Sequence, residues 1–138
     1  MNGLAEDEEM NEMKMPEHIV VSIVDDDISV RRSTRRLLRS SGFRAEAFAS
    51  AEEFLDSKSA AETACLILDL RMPGMNGLEL QRRLAQNGNP VPVIFLSAQA
   101  SEEDERSALR AGAVQFLRKP ISKEALLSAI RDALQRPS

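Results

Sequence analysis

Four short stretches carry side chains that could do chemistry together. Val24-Asp25-Asp26-Asp27 ends an apolar run on three acids, and LILDLRMPGMNG, Leu66 to Gly77, places Asp69 directly after another. Leu96-Ser97-Ala98 adds a hydroxyl, and Phe116-Leu117-Arg118-Lys119-Pro120 adds an ammonium beside a proline. An aspartate at the end of such a run can start a turn or cap a helix. It can also stand at the mouth of a sheet as a working carboxylate. Asp27 suits the cap. Asp25 and Asp26 end a buried strand, where two acids are costly without a partner. Ser97 as a turn residue, Lys119 as a surface lysine and Phe116 as a core aromatic are the plainer alternatives.

Carboxylates brought to one place repel. At an effective dielectric of about 20 and a separation of ~4 Å, one pair costs on the order of 4 kcal/mol. Lys119 can neutralise one charge. A hard divalent cation with oxygen ligands would do more, and Mg²⁺ is the natural choice. A serine and a lysine beside such an ion make a receptor for phosphoryl oxygens.

The elements that must bring these residues together can be read from apolar pattern and stop signals. Ile19–Val24 is a β-branched run suited to a strand buried on both faces. Val30, Thr34, Leu37, Leu38 and Ser41 then fall at helical spacing, and Gly42 follows as a stop. Ala45–Phe48 is a short second strand. Ser50-Ala-Glu-Glu53 has the form of a capping box opening a second helix. Cys65–Leu68 is a third strand and Gly77–Gln86 a third helix, broken by Asn87-Gly-Asn-Pro90. Val91–Leu96 holds a fourth strand. Ser101-Glu-Glu-Asp104 caps a fourth helix that stops at Gly112. Val114–Leu117 is a fifth strand, and Ser122 caps a last helix with Leu126, Leu127, Ile130 and Leu134 on one face.

Strands alternating with helices indicate an α/β fold: a doubly wound parallel sheet of five strands with helices on both faces. Ligands in such sheets bind beyond the carboxyl ends of the strands, at the switch in strand order. Asp25, Asp26, Asp69, Ser97 and Lys119 all follow strands and so should meet at that edge. The second strand ends on no comparable polar group, which places it at the sheet's outer edge.

Composition limits the function classes. The 138 residues suit one domain, 43% hydrophobic and 29% charged. The net charge of −4 is concentrated in residues 1–16, where five acids face Lys14. This leader reads as a disordered acidic tail, with Met15 a candidate start, residues 17–135 as the folded domain, and 136–138 as a tail or the start of a linker. The remainder is electrically neutral, which does not suggest bulk nucleic-acid binding. Cys65 has no partner for a disulfide and reads as a core residue. With no secretory signal and no run near the roughly 18 apolar residues a span needs, a cytoplasmic location is expected. His18, alone at a strand start, suggests no role. Arg31, Arg32, Arg35, Arg36 and Arg39 lie on the first helix, with no acid from Ile28 to Ala45. That is a solvated face, a dock for an acidic partner such as kinase helices, or, more remotely, a nucleic-acid contact.

The four quoted stretches, in this order and at these elements, resemble the receiver domains of bacterial response regulators over about residues 18–135. The wording DLRMPGMNG and GAVQFLRKP is closest to the subfamily that usually carries a helix-turn-helix output domain and regulates transcription. The resemblance implies a flavodoxin-like strand order, 2-1-3-4-5, and a phosphorelay in which a histidine kinase supplies the phosphoryl group. Asp69 would accept it. Asp26, Asp69 and the main-chain carbonyl of Arg71 would bind Mg²⁺, with Asp25 holding metal-bound water. Lys119 would pair with the phosphoryl group or, before phosphorylation, with Asp69. Ser97 would move to a phosphoryl oxygen and Phe116 would swing in behind it. A cis peptide is implied before Pro120. Arg71 and Gln99 stand where the family often tunes dephosphorylation. Phosphorylation would also favour a homodimer through the fourth helix and fifth strand, with Leu109, Arg110 and Arg118 as contacts.

Three other functions fit less well. An aspartyl-nucleophile phosphatase wants an acid two residues past the nucleophile, where this chain has Arg71. A flavin carrier usually sandwiches its ring between aromatics, and the chain has no Trp and no Tyr. A receiver-shaped interaction module that never takes phosphate would not need the complete set Asp25, Asp26, Asp69, Ser97 and Lys119. The expected protein is a signalling receiver, catalytic only toward its own phosphorylation and dephosphorylation.

Overall fold

The computed structural model describes residues 18–135. The expected acidic tail and the last three residues lie outside that range. The sheet consists of β1 (Val20–Val24), β2 (Arg44–Phe48), β3 (Thr63–Leu68), β4 (Val93–Ser97) and β5 (Gln115–Arg118). Every pairing is parallel and the order is β2-β1-β3-β4-β5, as expected, with β2 at one edge. The helices are α1 (Ile28–Ser40), α2 (Ala51–Asp56), α3 (Ser59–Glu62), α4 (Gly77–Gln86), α5 (Glu102–Arg110) and α6 (Lys123–Gln135).

The continuous apolar runs of β1, β3 and β4 follow from two separate cores. Val21, Ile23, Cys65, Ile67, Ile94 and Leu96 face α1 and α6, packing on Leu38, Leu126 and Ile130. Val24, Leu66, Leu68, Val93 and Phe95 face the other way, onto Phe54, Leu80, Leu84 and Ala108. Burying one such Leu, Ile or Phe side chain contributes about 1.5–3 kcal/mol. Ser22, fully buried in β1, is satisfied by the Thr63 hydroxyl at 2.6 Å, and Thr63 donates to the Ser59 carbonyl at 2.6 Å. Cys65 is buried as expected, and desolvation pushes its thiol up to about 12, so it is inert at neutral pH.

Each strand has a boundary shifted by one or two residues from the sequence reading, and one short helix is added. The second helix stops at Asp56 and a separate turn, α3, follows. Ser57 adopts extended geometry and its hydroxyl bonds the Phe54 carbonyl at 2.7 Å, offering the backbone an alternative to a continuing helix. β4 begins at Val93 and not at Val91. Pro92 has no N–H to donate, and its carbonyl accepts from Leu66 at 2.9 Å.

Candidate phosphoacceptor site

The sheet ladder continues one residue past the strands and fixes the site residues by their backbones. The Asp25 N–H donates to Phe48 O at 3.1 Å, the Asp69 N–H to Val24 O at 2.9 Å, and the Lys119 N–H to Ser97 O at 2.9 Å. Asp25, Asp26, Asp69, Ser97 and Lys119 therefore stand at one edge. Asp27 does not join them. Its carboxylate caps α1, accepting from Ser29 N–H at 2.9 Å and Val30 N–H at 3.3 Å. Its own N–H donates to Asp25 Oδ1 at 2.9 Å, which helps aim that side chain.

Carboxylate oxygens of Asp25, Asp26 and Asp69 lie within 4.8 Å of one another. Asp25 and Asp69 are only 2% and 7% exposed, whereas Asp26 is open to solvent. Lys119 Nζ stands 2.9 Å from Asp25 Oδ2 and 4.0 Å from Asp69 Oδ2. The sequence reading paired the resting lysine with Asp69; the close, hydrogen-bonded contact is with Asp25. Asp69 is thus left under-compensated. Burial, then repulsion from Asp25, raises its carboxyl to about 7, with Asp26 adding to the rise. Lys119 and the main-chain amide of Arg71 oppose it. Three acids against one ammonium, all donors oxygen, form a set that fits a hard divalent cation.

Around this cluster the structure adds residues that the motifs did not reveal. Gly77 opens α4 against the loop that follows Asp69, and its N–H donates to Leu70 O at 2.9 Å. A Cβ there would lie 2.5 Å from the Asp69 carbonyl oxygen and 2.8 Å from Phe95 Cε1, so only glycine fits. Asn76 and Glu79 form a reciprocal capping box on α4, a pattern legible in Asn76-Gly-Leu-Glu79. Glu52 reaches from α2 to accept the Met75 N–H at 3.1 Å, holding the turn at Gly74, whose φ is +76°. Nothing in sequence spacing signals that contact. Arg31 Nη1 donates to the Asp25 carbonyl at 2.8 Å and Arg35 Nε to the Ala45 carbonyl at 3.3 Å, so two of the five arginines on α1 support the fold. Arg32, Arg36 and Arg39 are exposed.

On the other side of the edge, Ser97 is buried and its hydroxyl makes only a long contact, 3.4 Å, to Gln99 O. Phe116 is half-buried and stacks on Phe95 with ring centroids 5.7 Å apart. Arg118 lies over the Phe116 ring at 5.5 Å, donating to Ala100 O at 2.7 Å and to Glu105 Oε1 at 2.9 Å. The side chain of Arg71 pairs with Asp104 on α5. The Lys119–Pro120 peptide is cis.

Residues 21–131 match the response regulator receiver domain family. This chain belongs to that family. It is 45% identical over 116 residues to the response regulator protein TmoT of Ectopseudomonas mendocina, covering 84% of this chain and 53% of that one. It is 38% identical over 122 residues to the transcriptional regulatory protein FixJ of Azorhizobium caulinodans, covering 88% and 58%. Among solved structures, a response regulator receiver protein from Burkholderia phymatum is 45% identical with a TM-score of 0.75, covering 87% and 98%. The chain spans about half the length of the curated relatives it matches. No helix among the described residues is long and apolar enough to cross a membrane. The protein is a receiver of the two-component type, a signalling domain in place of a classical enzyme.

Proposed function

We propose that Asp69 accepts a phosphoryl group from a histidine kinase and that the resulting charge is read through Ser97 and Phe116. The observation that carries this is the grouping of Asp25, Asp26 and Asp69 within 4.8 Å, with Lys119 as the nearby cation. An Asp69 oxygen attacks phosphorus. The O–P bond forms as the P–N bond to the donor imidazole breaks, and the imidazole takes a proton from solvent. Such transfer depends on in-line positioning and charge neutralisation more than on a strong base. Asp25, Asp26, Asp69 and the Arg71 carbonyl would hold Mg²⁺, which supplies charge neutralisation at the phosphoryl oxygens. Lys119 leaves Asp25 for the phosphoryl group, Ser97 donates its hydroxyl to a phosphoryl oxygen, and Phe116 moves inward behind it. Hydrolysis of the aspartyl phosphate ends the signal.

Incubation with phosphoramidate and Mg²⁺ should add one phosphate mass to the protein and none to Asp69→Asn. A full mass gain on the Asn variant would refute the assignment.

The output is a region outside this chain or a separate partner; the lengths and names of the relatives support a transcription-regulating remainder. Phosphorylation also favours a homodimer through α5 and β5, where Leu109 is 43% exposed and Arg118 lies at the surface. The beryllofluoride-complexed protein should sediment as a dimer and the free protein as a monomer. Equal sedimentation of both at micromolar concentration would assign the readout to a different partner.

A further inference from the structure

Arg71 lies two residues past the acceptor, and its guanidinium pairs with Asp104 in the first turn of α5. The same Asp104 oxygen accepts the Ser101 N–H at 3.0 Å, while Ser101 Oγ accepts the Asp104 N–H at 3.0 Å. The loop from Ser97 to α5 is thereby held from two sides, by Arg71 through Asp104 and by Arg118 through Ala100 O. That loop must shift if the Ser97 hydroxyl, now turned toward Gln99 O, is to serve the acceptor.

We infer that Asp104 and the phosphoryl group compete for the Arg71 guanidinium, so that Asp104 sets how long the phosphorylated state lasts and couples that state to α5. The inference rests on the phosphoacceptor reading above. A phosphoryl group adds roughly −1.5 to −2 charge and three strong acceptors beside Arg71, against the single charge of Asp104. The Arg71 and Asp104 side chains are 63% and 21% exposed, so their pair is weak enough to exchange. On phosphorylation Arg71 leaves Asp104 for a phosphoryl oxygen and stands in the path of attacking water. Asp104 is left with its capping contacts alone, and the start of α5 is untied from the acceptor loop. Asp104 is a positioning residue: it acts through Arg71 and touches no reacting atom.

The test follows loss of the phosphate mass after donor removal in the wild type, Asp104→Asn, Arg71→Ala and the double variant. Asp104→Asn should lengthen the half-life about two- to fivefold, the scale set by an exposed ion pair. Arg71→Ala should shorten it, and in the Arg71→Ala background Asp104→Asn should have no effect. Asp104→Glu should restore a half-life near that of the wild type. Ser101→Ala, which removes the cap of α5 but not the ion pair, should leave the half-life unchanged. Equal half-lives in the wild type and Asp104→Asn would overturn the inference. So would an Asp104→Asn effect that persists without Arg71, or one that Ser101→Ala reproduces. If the wild type takes no phosphate, the phosphoacceptor reading itself falls and this inference with it, a result distinct from phosphate gained and lost at equal rates.

Discussion

The two sides of the sheet's carboxyl edge are built differently. At the β1–β3 side, Asp25 and Asp69 extend strands whose residues are almost all buried, and their backbones are fixed by ladder bonds to Phe48 and Val24. At the β4–β5 side, β4 is buried and pairs with β5 through the ladder, but β5 itself has no buried residue, and the side chains of Phe116 and Arg118 are held by ring stacking and an exposed ion pair. A buried aliphatic side chain contributes about 1.5–3 kcal/mol, whereas an exposed ion pair contributes about 0–1 kcal/mol. On the proposed function, the chemistry is mounted on the part that resists movement and the response on the part that rearranges at low cost. A receiver needs both: the acceptor must stay aligned while its surroundings report its charge.

The largest test compares truncations on the two sides. Ile67→Ala, in β3, removes a 1% exposed side chain from the core between the sheet and α1–α6 and should cost about 2–5 kcal/mol. Leu117→Ala, in half-buried β5, should cost roughly half as much or less, because less area leaves water-free contact there. Urea unfolding of both variants gives the two values. Equal costs would mean that β5 is held as firmly as β3, and the contrast would be lost.

How far the sequence carried this contrast depends on the range of each interaction. The strands themselves, the edge position of β2, the acid cluster and the cap at Asp27 were legible, because apolar runs, terminal acids and local side-chain-to-backbone bonds act over a few residues; the full strand order came from the family resemblance. The break after Asp56 depended on one serine's choice of partner. Gly77 looked like an ordinary helix start; its tightness comes from Phe95 and the Asp69 carbonyl, which only the folded chain brings near. The pairing of Lys119 with Asp25, 94 positions away, and of Arg71 with Asp104 likewise required the third dimension.

A second test probes the acid side alone. A divalent ion that binds only the folded arrangement stabilises by mass action, about 2.7 kcal/mol at 100 times its dissociation constant. For this domain that is roughly 8–12 °C in Tm. Asp26→Asn should raise the Tm of the protein in EDTA, because one repulsive charge is gone, and should remove most of the Mg²⁺ response. Asp27→Asn should keep that response, since Asp27 caps α1. Melts in EDTA and in millimolar Mg²⁺ distinguish the cases. An undiminished Mg²⁺ shift in Asp26→Asn, or its loss in Asp27→Asn, would place the ion on the wrong acid.

The smallest effect is a pH dependence of opposite sign on the two sides. Asp69 has its folded pKa raised from 3.8 to about 7, by burial first and Asp25 second. In that window the folded state binds more protons than the unfolded one. The resulting stability is full below about 3.8 and is lost as pH rises through about 7, so in EDTA the Tm should fall between pH 6 and 8. Asp104 has its pKa lowered, first by the Ser101 main-chain bond and to a lesser degree by Arg71. Its contribution is present above 3.8 and is lost as pH falls below that value. Asp69→Asn should therefore flatten the Tm profile between pH 6 and 8 and leave the acid limb unchanged. Asp104→Asn should soften the acid limb and leave the neutral slope intact, because the groups facing Asp69 are Asp25, Asp26 and Lys119. A neutral slope that survives Asp69→Asn would show that the buried acid is not its source, and a neutral slope that Asp104→Asn abolishes would show the two sides to be electrostatically one.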